Sequence, residues 1–180
     1  MSLENKENES LKIIGRAFST FTSGLATTFT GGKDSLVVLH LVKRFCDGIV
    51  PIPVINIDTF IKFPEIYTFR DFIAREWKLD LRIASDREAA SRISIAADKG
   101  ECCKLLKIDV LIRVIKDNNL QASMTGVRKE EQETRATESH FSKKDNPPHT
   151  RVNPVLNFTE DDIWEYIDIY ALPYCTLYNE

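Results

Sequence analysis

Short apolar segments alternate with helix-periodic segments along most of this 180-residue chain, and this alternation constrains the fold more than any other feature. Apolar runs rich in β-branched residues predict strands, and apolar side chains at helical spacing predict the helices between them. The predicted strands lie at residues 25–30, 52–58, 79–85, 120–127 and 151–157. Because strands that alternate with helices build a mostly parallel sheet with helices on both faces, we expect a doubly wound α/β fold. At this length we expect residues 1–180 to form a single domain.

The helical stripes have recognisable ends. The last one begins in a capping-box pattern, with Thr159 three residues before Asp162. Gly48 ends the helix that follows the first strand. The predicted helices lie at residues 11–18, 35–45, 66–77, 106–115 and 159–170.

Composition and charge narrow the classes of partner. The formal net charge is -3 and the isoelectric point is near 5.7, so no general basic field attracts nucleic acid or a membrane surface. No apolar run approaches the ~20 residues of a membrane-spanning helix, and the polar start does not resemble a signal peptide. Four cysteines in a chain of this size indicate reduced thiols rather than a disulfide scaffold. We therefore expect a cytoplasmic protein that binds neither membranes nor nucleic acid.

A charged segment, residues 128–150, separates the fourth predicted strand from the fifth. It is nearly free of apolar residues and contains Pro147 and Pro148. A solvated surface loop and a mobile active-site loop both fit this composition. The last residues, "YCTLYNE", contain no recognisable terminating element, so we expect the natural chain to continue beyond them.

A turn with two glycines follows the first predicted strand, in the stretch "LATTFTGGKDSLVVLHL". Gly31 and Gly32 lack Cβ atoms, so backbone N–H groups can approach an anion, and the following helix directs its positive end to the same place. Hydroxyl groups, an ammonium and a carboxylate that binds magnesium or fixes the turn complete a set that suits a polyphosphate. These groups belong to Thr30, Lys33, Asp34 and Ser35. The alternative is a tight turn before a capped helix.

The string "TGGKDS" resembles the Ser-Gly-Gly-x-Asp-Ser pyrophosphate loop of the N-type ATP pyrophosphatases, with Thr30 in place of serine. Three further blocks follow in order: "VINIDTFIKFPEIYTFRDFIA", "TGVRKEEQETRA" and "RVNPVLNFTEDDIWEYI". They are similar to segments of the phosphoadenylyl-sulfate (PAPS) reductase family, which includes the small subunit of bacterial ATP sulfurylase. The resemblance spans most of the chain from Thr28 to Tyr178. It implies a five-stranded sheet of order 3-2-1-4-5 and an adenine nucleotide as the ligand.

The resemblance also implies roles for individual residues. Residues 30–35 would bind the phosphates of ATP or of an adenylyl sulfate, and Lys33 and Asp34 would also act in catalysis. The nucleotide would be flanked by residues at the ends of the second and fourth predicted strands. These residues are Asp58, Thr59 and Gly126.

Two arginines of the third block, Arg128 and Arg135, match family arginines that face the sulfate or phosphate end of the ligand, and we assign them to catalysis. A guanidinium fork suits a tetrahedral oxyanion better than an ammonium does. Lys129 stands where the family often has a further arginine. The alternative is that all these side chains form a solvated run of charges.

Adjacent cysteines, Cys102 and Cys103, precede a predicted helix and resemble half of the iron–sulfur motif of adenylyl-sulfate reductases. That motif is completed by a Cys-x-x-Cys nearer the C-terminus, where this sequence has Cys175 alone. Thiolates are the ligands of iron–sulfur clusters, but three thiols make an incomplete set. The alternative is a pair of small residues at the start of a helix.

Three functions agree with these observations. The first is adenylylation of sulfate by ATP, with magnesium, because the pyrophosphate loop is nearly intact. The second is reduction of adenylyl sulfate or PAPS by Cys102 and Cys103 with an iron–sulfur cluster. The third is a nucleotide-binding subunit that is inactive without a GTPase or redox partner protein. Assembly with further copies of the same chain is compatible with each of them.

Overall fold

The structure is a computed structural model that describes residues 1–92, 99–131 and 137–179. Within these ranges, six strands form one sheet. They are β1 (Leu25–Thr28), β2 (Val54–Asp58), β3 (Leu81–Ser85), β4 (Ala122–Met124), β5 (Phe141–Asp145) and β6 (Pro148–Val152). Their order across the sheet is β3-β2-β1-β4-β6-β5.

The same ranges contain seven α-helices, with a π-helical turn, Lys104–Ile108, joining the fifth to the sixth. Short 3₁₀ turns occur at Lys129–Glu131 and Thr176–Asn179. The α-helices are α1 (Leu3–Thr20), α2 (Lys33–Phe45), α3 (Pro64–Glu76), α4 (Arg87–Arg92), α5 (Lys99–Cys103), α6 (Asp109–Asp117) and α7 (Glu160–Ile169). None of the helices in the described ranges is long and apolar enough to cross a membrane.

The sheet is parallel from β3 to β6 and carries helices on both faces, as the strand–helix alternation predicts. Buried residues of α2, α3 and α7 pack with α1 into the larger core on one face. Val114 and Ile115 of α6 pack on Ala26 and Ile55 of the other face. The connection therefore changes face between β3 and β4, and both neighbours of β1 are parallel to it. A crevice outside the carboxyl ends of β1 and β4 is the usual ligand site of such a sheet.

The charged segment differs from its sequence-based prediction. Phe141–Asp145 and Pro148–Val152 pair as antiparallel strands, where the sequence predicts a loop up to residue 150 and a strand at 151–157. The sheet thus has six strands rather than five, and its parallel part keeps the implied order, with β6 as the fifth parallel strand. Strand β5 lies at the edge of the sheet, where lysines are tolerated because one side faces water. The charged residues of β5 are therefore compatible with a strand, although in the sequence they resemble a loop.

The predicted capping box of α7 is confirmed. The Thr159 hydroxyl accepts a hydrogen bond from the Asp162 N–H at 3.2 Å, and the Thr159 N–H donates to the Asp162 carboxylate at 2.5 Å. These bonds satisfy backbone groups that a helix end leaves free. They also set the position of Glu160, the first residue of the helix, beside the carboxyl ends of the central strands.

Candidate functional site

The glycine turn and the Gly126–Arg128 segment meet at the carboxyl ends of β1 and β4. Thr27 of β1 pairs with Met124 of β4, so the segments that follow these two strands leave the sheet side by side. The chain enters the glycine turn after β1 and then begins α2 at Lys33. The structure therefore places the two most informative sequence blocks at the point where the connections diverge to opposite faces.

The glycine turn has a backbone shape that needs glycine at one position. Gly31 has φ +87°, and a Cβ atom there would lie 2.6 Å from the Ile66 side chain of α3. Next to it, the Ser35 hydroxyl donates to the Gly32 carbonyl at 2.8 Å and lies 3.1 Å from the Thr30 hydroxyl. The Gly32 N–H donates to the Thr30 hydroxyl oxygen at 3.3 Å. The two hydroxyls thus brace the turn from inside and direct the amides at the start of α2.

Gly126 lies where the segment after β4 approaches the backbone of α2 closely. A Cβ atom on it would lie 2.8 Å from the carbonyl carbon of Asp34 and 2.8 Å from the Ser35 nitrogen. Backbone atoms of α2 cannot move aside as a flexible side chain can, so only glycine allows β4 and the start of α2 to approach this closely. Nucleotide binding by Gly126 stays a prediction.

Arg128 is the centre of an ion-pair network. Its side chain is buried, with 4% exposed, and each of its guanidinium nitrogens donates to a different carboxylate. The Nε atom lies 2.5 Å from Asp34 Oδ1, Nη1 lies 2.5 Å from Glu130 Oε1, and Nη2 lies 2.5 Å from Glu160 Oε2. Burial alone would lower the pKa of Arg128, but the charge of Asp34 and the hydrogen bond to Asp34 outweigh burial, so the pKa is raised. Arg128 therefore ties the end of β4 to the starts of α2 and α7.

Lys33 belongs to the same network. Its Nζ atom lies 3.0 Å from Glu160 Oε1 and 3.4 Å from Asp34 Oδ2, and the residue is 9% exposed. Burial lowers the pKa of the ammonium, while the hydrogen bond to Glu160 and the charge of Asp34 raise it. The net effect raises the pKa of Lys33, so the ammonium is charged at neutral pH. Two buried cations thus stand beside the glycine turn.

Aromatic rings cover the ammonium and the turn. The Lys33 Nζ lies 5.2 Å from the centroid of the Tyr178 ring and 5.9 Å from that of Trp164, within reach of cation–π attraction. The two rings contact each other edge to face, with centroids 5.3 Å apart. The Lys33 N–H also donates to the Tyr178 hydroxyl at 3.3 Å. The Thr176–Asn179 turn therefore lies over the start of α2.

The other residues predicted to flank a nucleotide lie one strand away. Asp58 is the last residue of β2, and its carboxylate accepts hydrogen bonds from the Phe60 N–H and the Tyr67 hydroxyl, both at 2.8 Å. Asp58 thus caps the turn after β2, and Thr59 follows it half-buried. Arg135 lies outside the described residues. The roles predicted for Asp58, Thr59 and Arg135 stay predictions.

A resident metal ion is not matched by the side chains that the structure describes. Among them, no group of three or more His, Cys, Asp or Glu residues could hold one. The two Asp34 oxygens contact Arg128 and Lys33, one each. Cys102 and Cys103 end α5, while Cys175 is buried in the larger core. Magnesium binding by Asp34 and iron–sulfur ligation by the cysteines stay predictions.

Sequence reasoning missed four residues of this arrangement: Glu130, Glu160, Trp164 and Tyr178. The signal for Glu160 was present, because the capping box at Thr159 makes it the first residue of a helix. No local pattern indicates which cations it meets. Lys33 and Glu160, for example, are more than a hundred positions apart along the chain. Only the fold brings them together.

Residues 24–180 match the family model described as the phosphoadenosine phosphosulfate reductase domain. The chain belongs to this family. A sulfate adenylyltransferase subunit 2 from Mycobacterium sp. (strain KMS) is 33% identical over an alignment of 187 positions, which covers 89% of this chain. The chain spans 59% of the length of that relative. The predicted membership of the family is confirmed.

Solved structures of family members and of other enzymes share the fold. A phosphoadenylyl-sulfate reductase from Candida auris has a TM-score of 0.79 and 21% identity, covering 98% of this chain and 89% of its own. An FMN adenylyltransferase from Candida glabrata, in complex with ATP, has a TM-score of 0.76 and 21% identity, covering 98% of this chain and 58% of its own. At these sequence identities the similarity shows that the chains share a fold, and nothing more.

Proposed function

We propose that this chain binds ATP at the glycine turn and transfers its adenylyl group to sulfate. An oxygen of sulfate would attack the α-phosphorus, the bond from that phosphorus to the bridging oxygen would break, and pyrophosphate would leave. The products are adenylyl sulfate and pyrophosphate. Because sulfate is already an anion at neutral pH, the attack requires no general base.

One observation carries this proposal: two buried cations, Lys33 and Arg128, stand beside a braced glycine turn at the switch point of the sheet. Phosphoryl chemistry needs the reacting groups held in line and the charge on the leaving group neutralised. The positive end of α2 and the Lys33 ammonium are suited to that charge. The name of the Mycobacterium relative, sulfate adenylyltransferase subunit 2, supports the choice of acceptor.

The remaining predicted residues have supporting roles in this proposal. Asp34 holds Arg128 and Lys33 in place rather than contacting the substrate. Asp58 and Thr59 flank the ribose or adenine from the neighbouring strand, and binding of sulfate is the role that we propose for Arg135. Reduction by Cys102 and Cys103 is not proposed, because the name of the Mycobacterium relative supports adenylyl transfer instead.

A second protein is part of the proposal. The relative is named as a subunit, which supports a partner subunit for this chain, and a GTPase is the partner type that we propose. We place the complex in the cytoplasm, since all four cysteines are unpaired and a reducing compartment suits them.

The reaction and the binding are tested separately. Pyrophosphate release is measured with ATP, magnesium and sulfate, both for the chain alone and with a partner subunit, and we expect release that depends on sulfate. Binding is measured by the rise in melting temperature with ATP, because a ligand held only by the native state raises it. No release under either condition would contradict adenylyl transfer. The absence of any shift with ATP, adenylyl sulfate or PAPS would also contradict nucleotide binding.

Replacing Lys33 by methionine is expected to weaken ATP binding by about tenfold to a hundredfold, the range for hydrogen bonds that involve a charged group. The side-chain volume is nearly kept, so the loss reports the missing ammonium. The dissociation constant is measured by calorimetry at constant ionic strength. Lys43→Met is the matched control, since Lys43 lies on the same helix, with its Nζ 4.8 Å from the centroid of the Trp77 ring. Equal affinities for ATP in the two variants would show that Lys33 does not contribute to ATP binding.

A further inference from the structure

Glu160 is the carboxylate that contacts both buried cations from outside the glycine turn. Its Oε1 lies 3.0 Å from Lys33 Nζ and its Oε2 lies 2.5 Å from Arg128 Nη2. The Trp164 indole N–H also donates to Oε1, at 3.3 Å. One carboxylate group therefore spans the two buried positive charges on which the proposed function rests.

Glu160 differs from the other carboxylates that contact these cations. Asp34 is part of α2 itself and its side chain is 17% exposed, whereas the Glu160 side chain comes from α7 and is 49% exposed. Glu130 contacts Arg128, and it also accepts a hydrogen bond from the Glu160 N–H at 2.5 Å. Rotation of the Glu160 side chain into solvent would remove its carboxylate from Lys33 and from one edge of Arg128 without moving any backbone, while Asp34 would still contact both cations.

The charge of the network opposes anion binding while Glu160 is in place. Two cations, Lys33 and Arg128, are paired with three carboxylates, so the formal charge of the cluster is one negative unit. A polyphosphate that approached this cluster would be repelled at short range. If Glu160 turns away, the remaining charges cancel, and phosphate oxygens can take the positions of the carboxylate oxygens.

We propose that Glu160 is a displaceable counter-ion that holds Lys33 and Arg128 in place and yields them to a phosphate group of the nucleotide. This inference rests on the proposed function, because it takes the glycine turn as the phosphate site. Glu160 is a positioning residue in this scheme. Glu160 competes with the ligand for both cations. Singly charged anions are therefore disfavoured, because they displace the carboxylate less readily than a polyphosphate does.

The test compares Glu160→Gln with Asp161→Asn by calorimetry, with pyrophosphate and with ATP as ligands. Both changes remove one negative charge from the first turn of α7, and Asp161 is exposed and outside the network. We expect Glu160→Gln to bind pyrophosphate about two- to fivefold more tightly than Asp161→Asn does, the range for loss of one half-exposed ion pair. A merely structural role for Glu160 would give equal or weaker binding, and that result would overturn the inference.

A second measurement uses the wild-type chain and so does not depend on how a variant folds. Nuclear magnetic resonance of the two tryptophan indole N–H groups is followed during titration with pyrophosphate. We expect the Trp164 signal to shift as Glu160 releases it, while Trp77, which lies against His40 and Lys43, keeps its signal. An unchanged Trp164 signal at saturation would overturn the inference.

The outcomes separate the two proposals. If the wild-type chain binds pyrophosphate or ATP but Glu160→Gln gains no affinity over the control, the counter-ion role is wrong and the proposed function stands. If calorimetry of the wild-type chain shows no binding of pyrophosphate, ATP or adenylyl sulfate, the counter-ion role and the proposed function are both wrong.

Discussion

Replacing Arg128 by alanine is expected to lower the free energy of unfolding by about 1–3 kcal/mol, because the largely buried Asp34 carboxylate loses a partner while the half-exposed Glu130 and Glu160 stay solvated. Asp34, Glu130 and Glu160 would then face one another with Lys33 as their remaining nearby cation. The three segments that Arg128 joins would separate, and ATP binding would fall with them. Urea unfolding at pH 7, followed by circular dichroism, measures the first effect.

Lys129→Ala is the control for this variant. It removes the same charge from the adjacent residue, but Lys129 is exposed and its backbone N–H, which bonds to the Leu156 carbonyl at 2.9 Å, is unchanged. We expect its stability to stay within about 0.5 kcal/mol of the wild type, as for most surface substitutions. Equal losses in the two variants would show that the Arg128 network does not stabilise the fold.

The difference in the free energy of unfolding between the wild type and Arg128→Ala should depend on pH. Burial raises the pKa of Glu160, but its hydrogen bond to Lys33 and the charges of Lys33 and Arg128 outweigh this and hold the pKa below its ordinary 4.5. A carboxyl group whose folded pKa is lowered contributes stability above its unfolded pKa and loses it as the pH falls. In Arg128→Ala, the carboxylates of Asp34, Glu130 and Glu160 repel one another, and protonation at low pH relieves this repulsion. We therefore expect the stability gap to narrow below pH 4.5, and a constant gap would contradict the electrostatic origin.

Replacing Gly31 by alanine is expected to lower the free energy of unfolding by about 2–4 kcal/mol, from a strained backbone and an overpacked side chain together. The φ of +87° disfavours any residue with a Cβ atom, and that atom would lie 2.6 Å from the Ile66 side chain. Urea unfolding measures the loss, and a displaced turn should weaken ATP binding in parallel.

Gly48→Ala separates the two causes. Gly48 has φ +94°, but a Cβ atom there would meet nothing within 4 Å. Its substitution therefore carries the backbone cost alone, which is about 1–2 kcal/mol. A larger loss at Gly31 than at Gly48 measures the clash with α3. If the two losses are equal, the packing of Ile66 against the turn has no energetic consequence.

Local patterns predicted the parts of this site that follow from one segment of chain. The run of β-branched residues, the two glycines and the helical stripe after Ser35 predict strand, turn and helix in the order that the structure has. Thr159 and Asp162 predict the start of α7 because a capping box needs only residues three positions apart. The hairpin at residues 141–152 was missed because the charges of an edge strand resemble those of a loop.

By itself, the sequence determined the α/β class, the position of the glycine turn and the membership of the PAPS reductase family, since each rests on local periodicity or on motifs within short segments. Only the tertiary structure decided that Arg128 holds three carboxylates, that Gly126 is a packing contact and that Glu160 spans both cations. These contacts join segments far apart in the chain, and their geometry follows from how β1 and β4 pair and where α7 begins. No local pattern encodes that arrangement, because ion pairs depend on distance in space rather than along the sequence.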